Sequence, residues 1–191
     1  MTLAKVAGRL SLRLANAERV PVTPRAAGSG LSCGAVPFHG GIVLSVERMN
    51  RILEIDRENM VIVVQPGVIT NDVNDAVNQD GLFYAGYPMS VELCFIGGNV
   101  AENAGGGRAI KYGVTGRYVL GMEVVLPTGE ILEVGPDGVR SREPEDGTLH
   151  ATNHLASCRS VPGLSPMSLS ILTTEAIGHG KVSGGLRTIS T

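Results

Sequence analysis

The run FIGGNVAENAGGG at Phe95–Gly107 constrains this chain most, read together with PRAAGSGLSCG at Pro24–Gly34. Glycine lacks a Cβ, so it allows left-handed backbone and close approach of main-chain N–H groups to a ligand. Successive N–H groups in such a turn form a concavity that accepts an anion. Two such segments about seventy residues apart, in a chain without an internal repeat, point to one long phosphate-bearing ligand gripped at two places. A dinucleotide has that shape. The competing reading of each segment is a tight connection that packs against its neighbour.

The 191 residues suffice for one modest domain or two small lobes. With 43% apolar and 18% charged residues the composition is globular. A formal net charge of −2 leaves no broad basic field for nucleic acid or an anionic membrane. No apolar run approaches the roughly 20 residues of a membrane span, and the first twenty residues lack the continuous apolar stretch of a secretory signal. Cys33, Cys94 and Cys158 are an odd set without C-x-x-C spacing, which argues against disulfides and structural zinc. A cytoplasmic, reducing location without organelle targeting is expected.

Apolar residues Leu3, Val6, Ala7, Leu10, Leu14 and Ala17 recur at helical spacing, so the first sixteen or so residues are predicted as a helix. Val20–Thr23 is predicted as a strand closed by Pro24, and Ile42–Ser45 as another. Ile52–Asp56 and Met60–Gln65 form a predicted hairpin over Arg57-Glu58-Asn59. Thr70 is the expected N-cap of a helix to about Gln79, with Asp72 in its first turn and Gly81 beyond its end. Phe83–Phe95 is expected as a loop and Val100–Asn103 as one helical turn. Tyr118–Leu126 and Glu130–Val134 form a second hairpin over Pro127-Thr128-Gly129. Helices mixed with antiparallel pairs make an α+β fold.

After Gly135 the composition changes. All seven aromatic residues lie at or before Tyr118, and 24 of the 55 residues from Asp137 to Thr191 are Ser, Thr, Gly or Pro. Such a stretch has little with which to offset the entropy of ordering. Residues 1–135 are therefore expected to form the domain, and 136–191 an atypical, poorly ordered tail with one short helix or strand at Leu164–Ile177. His150, His154 and Cys158 would share one face of a helix, but Pro, Gly and Ser surround them, and a metal site is not expected.

In the first glycine loop, Ser29 and Ser32 supply hydroxyl donors and Arg25 a positive charge. The spacing is neither a dinucleotide G-x-G-x-x-G nor a P-loop. In the second, Gly97 and Gly98 let backbone reach a ligand, while Asn99 and Asn103 can donate and accept. Tyr84, Tyr87, Tyr112 and Tyr118 bracket it as ring-stacking candidates or packing anchors.

VPVTPRAAGSGLSCG at Val20–Gly34 and AVPFHGGIVLSVERMNRILEID at Ala35–Asp56 resemble the FAD-binding domain of the D-lactate dehydrogenase and glycolate oxidase group, within the vanillyl-alcohol-oxidase (PCMH) type of flavoprotein. The likeness continues through VVQPGVITNDVNDAV, GLFYAGYPMS, CFIGGNVAENAGG and KYGVTGRYVLGMEVVLPTGEIL, over roughly residues 3–135, and is densest toward the FAD subunit of glycolate oxidase. It implies a two-lobed α+β domain, incomplete here, with FAD between the lobes. Arg25, Ala26, Ala27, Gly28, Ser29 and Gly30 would cradle the pyrophosphate, and Pro88, Ser90, Gly97, Gly98, Asn103 and Gly106 would line the flavin side. Ser29 stands where relatives with covalent flavin carry histidine, so FAD is expected to be non-covalent. The resemblance further implies oxidation of a D-2-hydroxy acid by hydride transfer from C2 to flavin N5, and partner subunits of a glycolate oxidase complex, an iron–sulfur subunit among them.

The departures are specific. Ala26 and Cys33 replace usual glycines, and Leu93 a usual threonine. Where relatives continue with Thr-Gly-Tyr-Asp and a Gly-Ser-Glu-Gly-Thr-Leu-Gly strand, this chain reads SREPEDGTLHATNHLASCRS. The substrate-binding domain with its metal-binding histidines is not in this sequence, so turnover by this polypeptide alone is not expected. The alternative is a non-catalytic remnant that binds FAD weakly or not at all. The abrupt change near Val139 motivates the hypothesis of a shifted reading frame from that point. Translating the coding DNA in the other two frames should reveal a family-like continuation in one of them; its absence from both would refute the shift.

Overall fold

A computed structural model describes residues 3–135, 138–142, 149–152 and 168–176, with side chains described over 8–135. The chain opens with helix α1 (Leu3–Ala17), followed by strands β1 (Val22–Arg25) and β2 (Ile42–Ser45). These two strands are parallel, in register from Val22 opposite Ile42 to Arg25 opposite Ser45. β1 thus runs past Pro24 instead of closing on it; proline removes one donor but keeps an extended φ. β3 (Ile52–Asp56) and β4 (Val61–Val64) pair antiparallel as expected. Their turn is fixed by Asp56, whose carboxylate accepts the backbone N–H of Asn59 at 2.9 Å and its side-chain amide at 2.7 Å. Those bonds hold the Asp56 carboxyl below its usual range.

Helix α2 (Thr70–Asn78) follows, then the irregular segment that ends at α3 (Ile96–Ala101), the short α4 (Ala109–Tyr112) and a 3-10 turn at Thr115–Arg117. α3 begins four residues earlier than the predicted turn, so Gly97 and Gly98 are helical, not loop. β5 (Val119–Val125) and β6 (Ile131–Gly135) form the second hairpin. Beyond it lie β7 (Gly138–Arg142), β8 (Leu149–Thr152) and β9 (Ser168–Ala176). The larger sheet has the order β3-β4-β9-β5-β6-β7-β8, with β9 parallel to both β4 and β5. These three strands fall within residues 136–191, and β9 lies inside the stretch Leu164–Ile177. The rest of that span, including His154 and Cys158, lies outside the described residues.

Two apolar clusters build the interior. In the first, Ile62 and Val64 point to one face of β4 and meet Val73 and Val77, one turn apart on α2. Val68, Tyr84, Ala85, Ile96 and Tyr118 complete it. Tyr84 and Tyr118 meet edge to face, centroids 6.0 Å apart, and Tyr112 packs likewise on Phe83 at 5.6 Å. Three of the four tyrosines are therefore packing anchors. In the second cluster Leu12 of α1 packs on Val125 and Ile131, with Val22 and Leu44 alongside.

This second cluster shows which face of α1 is buried. Leu12 and Ala15 are buried, whereas Leu10 and Leu14 are 60% and 65% exposed. A tertiary bond accompanies this burial: Arg9 Nε donates to the Gly129 carbonyl at 2.8 Å, tying α1 to the β5–β6 turn. Among the described residues no helix is long and apolar enough to cross a membrane.

Tyr84 is fully buried, its hydroxyl against Gly86. Burial pushes the phenol up to about 12, with the Thr115 hydroxyl beside it acting the other way. A pKa raised on folding favours the neutral phenol, so its contribution is full below about pH 10 and is lost as pH rises toward 12. The wild-type chain should lose stability more steeply than Tyr84→Phe across pH 10 to 12 in urea titrations; parallel curves would contradict this.

Candidate functional site: a cleft at the ends of two parallel strands

Parallel register places the C-terminal ends of β1 and β2 side by side, which brings Arg25 next to Ser45. Just beyond them opens a cleft of about 390 Å³ lined by Arg25, Ala26, Ala27, Ser29, Ser45, Glu47, Leu93 and Phe95. The carboxyl ends of parallel strands are where ligands commonly bind in such sheets, because the chain must turn there and leaves backbone groups unpaired. Four residues of the predicted cradle are present. Ser45 and Glu47 were missed, although their position follows once β1 and β2 are paired in parallel.

The loop geometry explains its small residues. Gly28 has φ +73, and a Cβ there would lie 2.6 Å from the Arg25 guanidinium, which folds back over it. A Cβ on Gly30 would collide with the Glu102 carboxylate. Ala26 is not among the residues with left-handed backbone, so its replacement of glycine carries no backbone strain. Cys33 does adopt φ 61, a conformation that costs a non-glycine residue roughly 1 kcal/mol.

The second predicted set lies beside the cleft without lining it. Pro88 and Gly97 are buried, and the Ser90 carbonyl accepts the N–H groups of Leu93 and Cys94 at 2.8 Å. Gly97 donates to the Pro66 carbonyl at 2.8 Å. Gly98 faces the first loop, where an added Cβ would sit 3.2 Å from that of Ala26. Gly106 lies against the Tyr87 carbonyl so closely that no Cβ fits. Asn103, with φ 51, accepts the Gly116 N–H on Oδ1 at 2.8 Å. The two glycine segments thus pack on each other, with Gly98 against Ala26, which lines one wall of the cleft.

A buried polar hub holds that wall. Thr70 is the first residue of α2, not its cap; the capping position is Ile69, without a side-chain bond. The Thr70 hydroxyl donates to the Cys94 carbonyl at 3.1 Å, with Cys94 Sγ at 3.2 Å, and accepts Asn99 Nδ2 at 2.6 Å. One hydroxyl therefore joins α2, the segment leading to Phe95, and α3.

The fold and the cleft define a nucleotide-binding module of mixed α/β type. The family described as "FAD binding domain" matches residues 9–135, and the chain belongs to it. The glycolate oxidase subunit GlcD of Bacillus subtilis strain 168 is 51% identical over 124 residues, spanning 65% of this chain and 26% of that protein. A D-lactate dehydrogenase of Anaerostipes hadrus is 48% identical over 124 residues, with the same shares covered. Among solved structures, 6-hydroxy-D-nicotine oxidase from Arthrobacter nicotinovorans is similar with a TM-score of 0.59 at 28% identity, over 68% of this chain and 28% of that one. The chain spans about a quarter of the length of the curated relatives it matches.

The residues present fit FAD. Arg25 and the hydroxyls of Ser29 and Ser45 offer donors for a pyrophosphate, while Ala26 and Ala27 keep the wall low. Phe95 and Leu93 supply apolar surface, and Glu47 can accept from sugar hydroxyls. The volume suits part of a dinucleotide.

Replacing Thr70 by valine keeps the shape but leaves the Asn99 amide donor without its acceptor. Thr70→Val should destabilise the fold by about 1–3 kcal/mol, with Thr70→Ser close to wild type, as read from urea midpoints. Equal stability of the valine variant would remove the hub from the account.

Proposed function

We propose that this chain forms the FAD-holding part of a flavin-dependent oxidoreductase acting on D-2-hydroxy acids of the glycolate and D-lactate type. The carrying observation is the cleft at Arg25 and Ser45, which gathers Ser29, Ala26, Ala27 and Phe95 beyond the ends of two parallel strands. When bound, the flavin supplies a two-electron acceptor at N5 for hydride from the substrate's C2. The chain's own residues bind and orient it: Arg25, Ala26, Ala27, Gly28, Ser29 and Gly30 at the pyrophosphate, and Pro88, Ser90, Gly97, Gly98, Asn103 and Gly106 on the flavin side. Ser29 offers no imidazole for covalent attachment, so the cofactor is held non-covalently.

Similar proteins named as glycolate oxidase subunits support a place in a multi-subunit glycolate oxidase; an iron–sulfur subunit as electron acceptor and a cytoplasmic location are the further parts of this proposal. A second reading, weak or no FAD binding, is favoured by the left-handed backbone of Cys33.

Purified under reducing conditions and passed through gel filtration after adding FAD, the chain should retain a visible flavin band. Acid precipitation should release that flavin to the supernatant. Arg25→Ala should weaken binding about tenfold by losing one charge-assisted contact. A colourless wild-type protein would overturn the reading in favour of the second one, and flavin in the acid pellet would overturn the non-covalent assignment.

A further inference from the structure

Glu102 follows the last residue of α3 and is tied into it, its N–H reaching the Gly98 carbonyl at 3.1 Å. Its side chain leaves the second glycine segment and crosses to the first. There Oε1 accepts the Ser32 hydroxyl at 2.8 Å, a bond that spans 70 residues of sequence. The same carboxylate lies flat against Gly30, in the space a Cβ would need. Neither Glu102 nor Ser32 lines the cleft, to which the same loop contributes Arg25, Ala26, Ala27 and Ser29.

We propose that Glu102 is a positioning residue that braces the Pro24–Gly34 loop against α3 and so sets the width of the FAD cleft before the cofactor arrives. This rests on the FAD reading above. The physical basis is preorganisation. A loop with Gly28, Gly30 and Gly34 has many backbone states, and ordering it at the moment of binding weakens affinity. One charge-assisted bond from a helix end removes part of that loss in advance. Both partners are exposed, so water competes and the effect is modest. Gly30 has a role distinct from its neighbour Gly28: its φ is not left-handed, and what it supplies is room for the carboxylate.

The test uses the full chain and FAD, titrated by fluorescence. Glu102→Ala and Ser32→Ala should each weaken FAD about fivefold, with the double variant no weaker than either alone. Glu102→Gln keeps an amide oxygen for the Ser32 hydroxyl and should bind within about twofold of wild type. Gly30→Ala should behave like Glu102→Ala, because its methyl displaces the carboxylate. In the absence of FAD, hydrogen exchange of the Arg25–Gly34 amides should quicken in Glu102→Ala and not in Glu102→Gln. Unchanged exchange in Glu102→Ala, or FAD binding as tight as or tighter than wild type, would overturn the brace. If wild type fails to bind FAD, the FAD reading falls while the exchange measurement still decides the brace.

Discussion

A single buried hydroxyl, that of Thr70, fixes the relation on which the rest of the molecule depends. Its acceptor and donor partners lie 24 and 29 residues away, on the segment before Phe95 and on α3. A hydroxyl buried without partners would be costly, and one donor bond together with one accepted bond meets its needs. Because the three pieces are clamped at one atom, α3 starts at a defined place. Gly98 then faces Ala26, and Glu102 reaches Ser32. The Ile69–Phe95 bridge and the Thr70 N–H to Cys94 carbonyl bond run alongside and close the same seam with backbone. Loss of the hub would therefore be felt at the cleft, though Thr70 itself lies behind its wall.

The elements legible in sequence were those with local causes. The β3–β4 hairpin follows from a polar turn between β-branched runs, and α2 from its start and stop signals, Thr70 and Asp72 at one end and Gly81 beyond the other. What escaped had tertiary causes. The stripe Leu10–Leu14 is as good an apolar face as Leu12–Ala15; the packing of Leu12 on Val125 and Ile131, together with the anchor from Arg9 to Gly129, accompanies burial of the second. Thr70 reads as a cap because threonine caps helices, but here it stands inside α2 and its hydroxyl donates to the Cys94 carbonyl on the segment that leads to Phe95. Gly97 and Gly98 read as loop because glycine weakens helices by about 1 kcal/mol relative to alanine. Burial of Ile96 and the donation from Gly97 to Pro66 override that preference.

The same division applies to the site. Arg25, Ala26, Ala27 and Ser29 were visible as a contiguous loop. Ser45 ends a second strand and Glu47 lies two residues beyond it, sixteen or more residues on from Ser29, and nothing local marks them. Their place becomes readable only through the parallel pairing of β1 and β2, which a short-range pattern cannot reveal because parallel strands need a crossover.

The electrostatic make-up of the cleft gives the glycine segments their function. Arg25 is its one cation and Glu47 its one carboxylate, so their formal charges cancel. A diphosphate ester carries two negative charges at neutral pH, and one exposed guanidinium cannot balance them. The remainder has to come from dipoles: the hydroxyls of Ser29 and Ser45 and the N–H groups of the turn that follows β1. Dipoles act only at contact distance and only when aimed, which makes the shape of the Pro24–Gly34 backbone matter more than its charge. On the proposed reading, a chain with a net charge of −2 would hold an anionic cofactor through aimed dipoles, and contacts that hold the loop still, such as Gly98 against Ala26 and Glu102 on Ser32, would serve that binding.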